Sequence, residues 1–191
     1  MPTFPGGRRY LSRDESDAEL ARRCVGGDPE AFRPLVERYQ KVLYNVAYRM
    51  VHDREDARDL AQGALVKAYR KLGSFDPERP FFSWLYRILV NDALSFLEKR
   101  RPTAPLEAER DAGAPGGPHE ELERRERERR IQAALRELAP DSRQVIVLRY
   151  FADLSYAEMS EVLAIPEKTV KSRLFTARQR LAGSLGGEVS R

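Results

Sequence analysis

Hydrophobic residues recur every three or four positions along most of the chain, which is the spacing of amphipathic helices. One such stretch follows Asp28 and Pro29, which mark a helix start, and its apolar positions are Phe32, Leu35, Val36, Tyr39, Leu43, Val46 and Met50. The alternation expected of strands is almost absent before residue 102. The pattern therefore predicts an all-α fold.

Two more helices are predicted in the same half of the chain. The first begins near Asp53, is stopped by Gly73, and buries Ala57, Ala61, Ala64, Leu65, Ala68 and Leu72. The second runs from Phe82 to Arg101 and buries Leu85, Leu89, Ala93 and Phe96. Its opposite stripe carries a tryptophan among polar side chains: Trp84, Arg87, Asn91 and Ser95.

The stretch from Leu154 to Leu181 predicts two short helices around a tight turn. Ser155 can cap a helix over Tyr156–Leu163, and Pro166 ends that helix and favours the start of the next. In the second helix the predicted buried face is Val170, Leu174, Ala177 and Leu181. The outward stripe is Lys168, Lys171, Ser172, Phe175 and Gln179. This is the pattern of a helix-turn-helix that reads DNA.

The outward stripe has a simpler interpretation as the solvated side of an amphipathic helix. Phe175 argues against it, because an exposed aromatic side chain lowers solubility unless it has a partner. On DNA the ring can touch thymine methyl groups while its polar neighbours reach base edges and phosphates. The preceding helix and turn strengthen this prediction.

A composition change divides the chain. The stretch Pro102–Pro118 holds four prolines and three glycines and has little to bury, so it predicts a flexible tether. The predicted organisation is two small helical domains, at residues 17–101 and 119–185, with terminal tails at 1–16 and 186–191.

Charge and rare residues narrow the functional classes. Of the 191 residues 34% are charged and 41% are hydrophobic, which predicts small cores, and the net charge of +4 suits a nucleic-acid partner. A single cysteine, Cys24, excludes an internal disulfide, and His52 and His119 are far apart, so no metal site or cofactor is predicted. The sequence shows neither a membrane-spanning run nor a secretory signal, so we expect a cytoplasmic protein without membrane insertion.

Aromatic and basic residues are interleaved around the start of the third helix. They are Phe75, Phe81, Phe82, Trp84 and Tyr86 beside Arg79, Arg87, Lys99, Arg100 and Arg101. This mixture suits unpaired bases, since each base stacked on an aromatic side chain gains about 1–3 kcal/mol. The alternative is that Trp84 belongs to the core and is capped by the preceding loop, residues 73–81.

Three motifs in this order closely resemble the bacterial sigma-70 family, in particular its small extracytoplasmic-function group. They are DREDARDLAQGALVKAY, FFSWLYRILVNDALSFLEKRR and LSYAEMSEVLAIPEKTVKSRLFTARQRL, and the resemblance extends over about Asp17–Leu185. It implies a transcription initiation factor, not an enzyme, that directs core RNA polymerase to promoters. The first domain would bind the clamp helices of the largest subunit and melt the minus-ten element. The second would read the minus-thirty-five element and contact the beta-subunit flap. Many relatives are held by an anti-sigma factor, and the resemblance leaves this partner open.

The resemblance also implies residue roles. The core-binding helix would present Asp56, Asp59, Gln62 and Val66 to polymerase. The minus-ten base and melted strand would meet the loop Ser74–Phe81 with Phe75, Arg79, Trp84, Arg87, Asn91, Arg100 and Arg101. The minus-thirty-five groove would face Lys168, Lys171, Ser172, Phe175 and Thr176, with Arg173 and Arg178 as phosphate or packing arginines.

The chain departs from the family pattern at several of these positions. Arg58 replaces a common acidic residue, and Gly63 with Ala64 replaces a usual Glu-Thr pair. Ala164 and Lys168 stand where glycines are frequent, and Thr176 stands where a basic residue is common. The contacts with polymerase and the preferred promoter therefore cannot be copied from relatives.

Two other classes compete with this prediction. An autonomous helix-turn-helix repressor would need a dimerisation surface, which a short coiled coil in the run His119–Leu138 could provide through Leu122, Ile131, Leu135 and Leu138. A nucleic-acid enzyme would need clustered carboxylates with a metal or a nucleophile beside a base. The acidic residues are instead scattered among arginines.

Overall fold

The computed structural model describes residues 16–99 and 118–184, and every regular element in these ranges is helical, as predicted. The first unit comprises α1 (Asp17–Val25), α2 (Arg33–Val51), α3 (Arg54–Arg70) and α4 (Phe81–Lys99). The second comprises α5 (Pro118–Glu137), α6 (Pro140–Tyr150), α7 (Tyr156–Leu163) and α8 (Glu167–Ser184). Most of the predicted tether and of the N-terminal tail, together with the C-terminal tail, Arg100 and Arg101, lies outside the described residues.

Side-chain caps place the helix starts in the first unit. The Ser16 and Glu19 side chains form a reciprocal capping box at α1, and the Asp53 carboxylate accepts from the backbone N–H groups of Glu55 and Asp56 at 3.0 Å each. The start of α2 and the end of α3 differ from the prediction. Pro29–Phe32 forms a short 3₁₀ turn before α2, and α3 ends at Arg70 because Leu72–Ser74 turns as a 3₁₀ segment.

The predicted apolar faces form the core of the first unit. All the apolar positions predicted for α3 are buried, and four of them are alanines, which let neighbouring helices approach closely. On α4 the predicted face at Leu85, Leu89 and Ala93 is buried, whereas Phe96 is only half-buried. Phe81 and Tyr86 are also buried.

The second unit is built around α6. Residues 142–148 of this helix are all buried, and α7 and α8 pack against it. On α8 the predicted face of Val170, Leu174, Ala177 and Leu181 is buried. No helix in the described part of the chain is both long and apolar enough to cross a bilayer.

The two helical units pack against each other. Helix α4 lies against α7, α2 lies against α6, and the buried apolar residues of both units form one continuous cluster. The sequence predicted two small helical domains with small cores, and it gave no indication that these cores pack together. The mutual packing decides which candidate surfaces are accessible.

Candidate nucleic-acid and protein interfaces

Helices α7 and α8 form the predicted helix-turn-helix. Ser155 caps α7 in a reciprocal box: its N–H donates to Glu158 Oε2 at 2.6 Å, and the Glu158 N–H donates to Ser155 Oγ at 3.2 Å. The turn is made by Ala164, which has a left-handed φ of 52°. Ser160 Oγ donates to the Ile165 carbonyl at 2.6 Å and braces the turn.

Helix α8 presents an exposed stripe opposite its buried face. Among the residues predicted to face the major groove, all five are exposed: Lys168, Lys171, Ser172, Phe175 and Thr176. Phe175 is 62% exposed, although the apolar residues of the neighbouring face are buried. An aromatic ring that protrudes from a polar stripe is suited to contact with another molecule.

The basic residues of α8 differ in their surroundings. Lys171 lies 3.3 Å from the Glu167 carboxylate and 5.6 Å from the centre of the Tyr156 ring. Arg173 forms a 2.8 Å ion pair with Asp141 at the start of α6, which favours the packing role among the two alternatives for this arginine. Arg178 Nε donates to the Tyr150 hydroxyl at 2.7 Å.

Arg178 keeps its charge in this environment. Burial lowers its pKa, but Tyr150 and then Tyr156 act in the opposite direction and leave the pKa above its ordinary value. The guanidinium therefore remains a cation at the edge of the exposed stripe. Sequence reasoning did not single out either tyrosine, since they belong to α6 and α7 and the helical period of α8 says nothing about residues of other helices.

The aromatic residues before and within α4 form a packed cluster. Phe75 contacts Phe81 and Trp84 with ring centres 5.2 Å and 5.5 Å apart, and Phe81 lies 5.6 Å from Trp84. The three rings differ in burial: Phe81 is 2% exposed, Phe75 is 8% exposed, and Trp84 is half-buried. Phe75 was predicted to contact the melted strand, and its ring is part of the buried core, so that role stays a prediction.

Trp84 combines features of both interpretations. Its ring packs on the 73–81 loop, as the core alternative predicts, yet it is only half-buried. Asn91, two turns further along α4, is exposed, and Arg79 lies 3.5 Å from Asp76 on the loop. Arg87 Nη2 donates to the Glu161 carbonyl of α7. This contact places part of the predicted strand-binding stripe under the helix-turn-helix.

The outer face of α3 is largely exposed. Asp59, Gln62 and Val66 are exposed, and Val66 is 49% exposed despite being apolar. Asp56 is half-buried in the first turn, where its N–H bonds the Asp53 cap. Tyr69 extends this face, is 46% exposed, and packs edge-on against Phe32 at 5.2 Å.

A polar cluster joins the two units. Arg143, which is buried, donates to the carbonyls of Leu135 at 2.9 Å, Leu138 at 3.1 Å, Arg136 at 3.2 Å and, across the junction, Met50 at 2.5 Å. These carbonyls lie near the C-terminal ends of α5 and α2, where a cation is favoured. Burial lowers the pKa of Arg143, and the nearby Arg136 lowers it further.

Two further pairs cross the same junction. Arg49 on α2 forms a 2.8 Å ion pair with Glu128 on α5, and its guanidinium lies 4.0 Å from the centre of the Phe151 ring. His52 Nδ1 lies 2.9 Å from Gln132 Oε1. Burial, followed by the charge of Arg143, lowers the pKa of His52 to about 3, so the ring is neutral at neutral pH. Sequence reasoning missed this cluster, because nothing in the period of α2 or α6 distinguishes its members.

Two family models match the chain, one in each helical unit. The model for Sigma-70 region 2 matches residues 35–103, and the model for Sigma-70, region 4 matches residues 120–181. The boundary between the matches lies within the predicted tether.

Whole-chain comparisons agree with the family models. The chain is 37% identical over 183 residues to the RNA polymerase sigma-H factor of Pseudomonas aeruginosa, covering 90% of this chain and 94% of that protein. It is 36% identical over 171 residues to the ECF RNA polymerase sigma factor SigW of Bacillus subtilis, covering 83% and 91%. Among solved structures, CnrH in complex with the cytosolic domain of CnrY is similar, with a TM-score of 0.72, 29% identity and coverage of 91% and 99%.

Proposed function

This chain belongs to the sigma-70 family, in its extracytoplasmic-function (ECF) group, and we propose which of its surfaces perform that family's work. It is a transcription initiation factor rather than an enzyme, and it directs RNA polymerase to promoters. Three surfaces bind promoter DNA or polymerase in this proposal: the exposed stripe of α8, the polar stripe of α4 and the outer face of α3.

Helix α8 reads the minus-thirty-five element. The observation that carries this assignment is the 62% exposed ring of Phe175 in a stripe with Lys171, Ser172 and Thr176. Base edges in the major groove are distinguished by hydrogen bonds and by contact with the thymine methyl group, and this stripe offers both. Arg178 lies at the edge of the stripe, where the DNA backbone would pass, and its charge suits a phosphate.

Helix α3 binds the clamp helices of the largest polymerase subunit. The exposed Val66 and Tyr69 supply apolar contact area, and Asp59 and Gln62 beside them supply polar specificity. Arg58 is exposed on the same helix and changes the charge of this surface relative to the family pattern. The beta-subunit flap is the proposed partner of the second unit.

Helix α4 binds the melted strand at the minus-ten element through Trp84, Arg87 and Asn91. Stacking on an aromatic ring and ionic contact with phosphate are the physical basis of single-strand binding. Because Arg87 is bonded to the Glu161 carbonyl, the strand reaches this stripe only after α7 moves away from α4. Binding to polymerase, which holds the two DNA elements apart, would favour this separation.

A protein that binds the packed form is the third proposed partner. CnrH, which shares the fold over 91% of this chain, was solved in complex with the cytosolic domain of CnrY. We infer that an anti-sigma factor can hold this chain in the state where α7 covers α4. The rival repressor would need the coiled-coil seam of Leu122, Ile131, Leu135 and Leu138. Leu135 and Leu138 are buried within the chain and Ile131 is half-buried, which leaves Leu122 as the exposed member of the seam.

In vitro transcription with purified core polymerase on a genomic library tests the assignment. We expect transcripts from a set of promoters that core polymerase alone does not use, and a loss of this set with Phe175→Ala. Tight, site-specific binding by the protein without polymerase, in a dimer footprint, would favour the repressor and contradict the proposal.

A further inference from the structure

Two tyrosines and three cations meet beside the recognition helix. Tyr150 ends α6, and its ring centre lies 5.6 Å from the Arg178 guanidinium, whose Nε donates to its hydroxyl at 2.7 Å. Tyr156 begins α7, and its ring centre lies 5.5 Å from the Arg149 guanidinium and 5.6 Å from Lys171 Nζ. The two tyrosines thus contact one basic residue of α6 and two of α8.

We propose that Tyr150 is a positioning residue, which orients Arg178 for a phosphate of the minus-thirty-five element. The hydroxyl engages Nε, and the ring lies close enough for a cation–π contact, so the orientation of the guanidinium is restricted by two interactions. Tyr156 is a further hydrogen-bond partner of Arg178, and the N–H groups of the guanidinium that neither tyrosine engages are the donors directed to the DNA backbone. This inference rests on the proposed function, because it needs α8 to lie in the groove.

Preorganisation is the physical reason why this contact affects binding. An arginine side chain that rotates freely loses conformational entropy when it is fixed on a phosphate, and one already held loses less. A phosphate contact carries no base information, so the effect is expected to be the same for every minus-thirty-five sequence. Tyr150 itself is 41% exposed at a helix end, so removing its hydroxyl leaves the buried core intact.

The experiment compares Tyr150→Phe, Arg178→Ala and the double variant as holoenzymes with core polymerase. Tyr48→Phe, on α2 and outside the helix-turn-helix, is the control. The measurement is the equilibrium dissociation constant for duplex promoter fragments with a series of minus-thirty-five sequences, at several salt concentrations and at a temperature that keeps the DNA closed. Thermal unfolding of each variant is recorded beside it.

We expect Tyr150→Phe to weaken binding about three- to tenfold, the conformational cost of immobilising one long side chain on binding, and to weaken it equally for all sequences. The double variant should bind no more weakly than Arg178→Ala alone, because Tyr150 acts through Arg178. The melting temperature of Tyr150→Phe should equal that of the wild-type protein. The affinity of Tyr48→Phe for promoter DNA should also equal that of the wild type.

The inference is overturned if Tyr150→Phe binds like the wild type, or if the effects of the two single changes multiply in the double variant. A changed base preference in Tyr150→Phe also overturns it, since the residue would then read sequence. If Arg178→Ala, Lys171→Ala and Phe175→Ala all leave affinity and preference unchanged, the assignment of α8 itself fails. The two failures are thereby distinguished.

Discussion

Arg143 Nη1 donates a 2.5 Å hydrogen bond to the carbonyl oxygen of Met50, so one buried guanidinium connects the two helical units. The same side chain bonds three carbonyls near the end of α5. The ends of two helices from different units are thus capped by one cation.

Arg143→Met should destabilise the protein strongly. Methionine fills a similar volume but leaves four carbonyl oxygens without this donor, and we expect a loss of about 3 kcal/mol in the free energy of unfolding. Chemical denaturation followed by circular dichroism measures it. Arg180→Met, at an exposed position on α8, is the control and should stay within about 0.5 kcal/mol of the wild type. Equal effects of the two changes would contradict the capping role.

Acid should weaken the junction through His52. Its pKa in the folded protein is about 3, below the ordinary value of about 6.5 in the unfolded chain, so the unfolded state binds more protons between these values. Stability is therefore complete above about pH 6.5 and falls as the pH is lowered. We expect a loss of about 1–2 kcal/mol from pH 7 to pH 5 that is attributable to this residue.

The measurement is urea denaturation at pH 7, 6 and 5 for the wild type and for His52→Asn. Asparagine tolerates the left-handed backbone at this position, where φ is 60°, and it does not titrate in this range. The variant should lose less stability than the wild type over the same interval. Parallel pH profiles would show that His52 is not the titrating group.

Ala164→Gly should stabilise the helix-turn-helix. Alanine at a φ of 52° carries a left-handed penalty of about 1–2 kcal/mol that glycine avoids, and the greater freedom of glycine in the unfolded chain offsets part of this gain. The expected net gain is about 0.5–1 kcal/mol. Ala133→Gly, exposed and inside α5, should have the opposite sign, with a loss of similar size. Thermal denaturation of both variants checks the pair, and a loss of stability in Ala164→Gly would refute the expectation.

Asn91→Ala should reduce promoter opening without affecting folding. Asn91 is exposed on the stripe of α4, so its removal leaves the core unchanged while one polar contact with the melted strand is lost. Permanganate reactivity of unpaired thymines in the holoenzyme complex measures opening. Gln40→Ala, which removes an exposed amide on α2 outside the three proposed surfaces, is the control for a general surface effect. Unchanged reactivity in Asn91→Ala would remove this residue from the proposed surface.

Lys171→Ala and Phe175→Ala should change the preferred minus-thirty-five bases. A good base contact contributes about 1–3 kcal/mol of discrimination, whereas Arg178→Ala should weaken all sequences alike. Selection from randomised minus-thirty-five elements with each mutant holoenzyme separates the two effects. If base preferences persist in both variants, α8 does not read bases with this stripe.

The sequence by itself determined the helices, their buried faces and the helix-turn-helix. The period of apolar residues and the local caps are short-range properties, so Ser155, Pro166 and the face at Val170, Leu174, Ala177 and Leu181 were predicted correctly. The resemblance of three motifs led to the family that the whole-chain comparisons confirm. The roles of individual site residues remain predictions.

Only the tertiary structure decided which candidate residues are accessible. Phe75 reads as a stacking residue in sequence, but it is buried because α4 and its loop fold onto each other. The contacts of Arg143 with Met50 and of Arg87 with Glu161 join residues 93 and 74 positions apart. Helical periodicity describes one face of one helix and carries no information about which helix covers it. Long-range packing alone therefore determined the joined core and the covered stripe of α4.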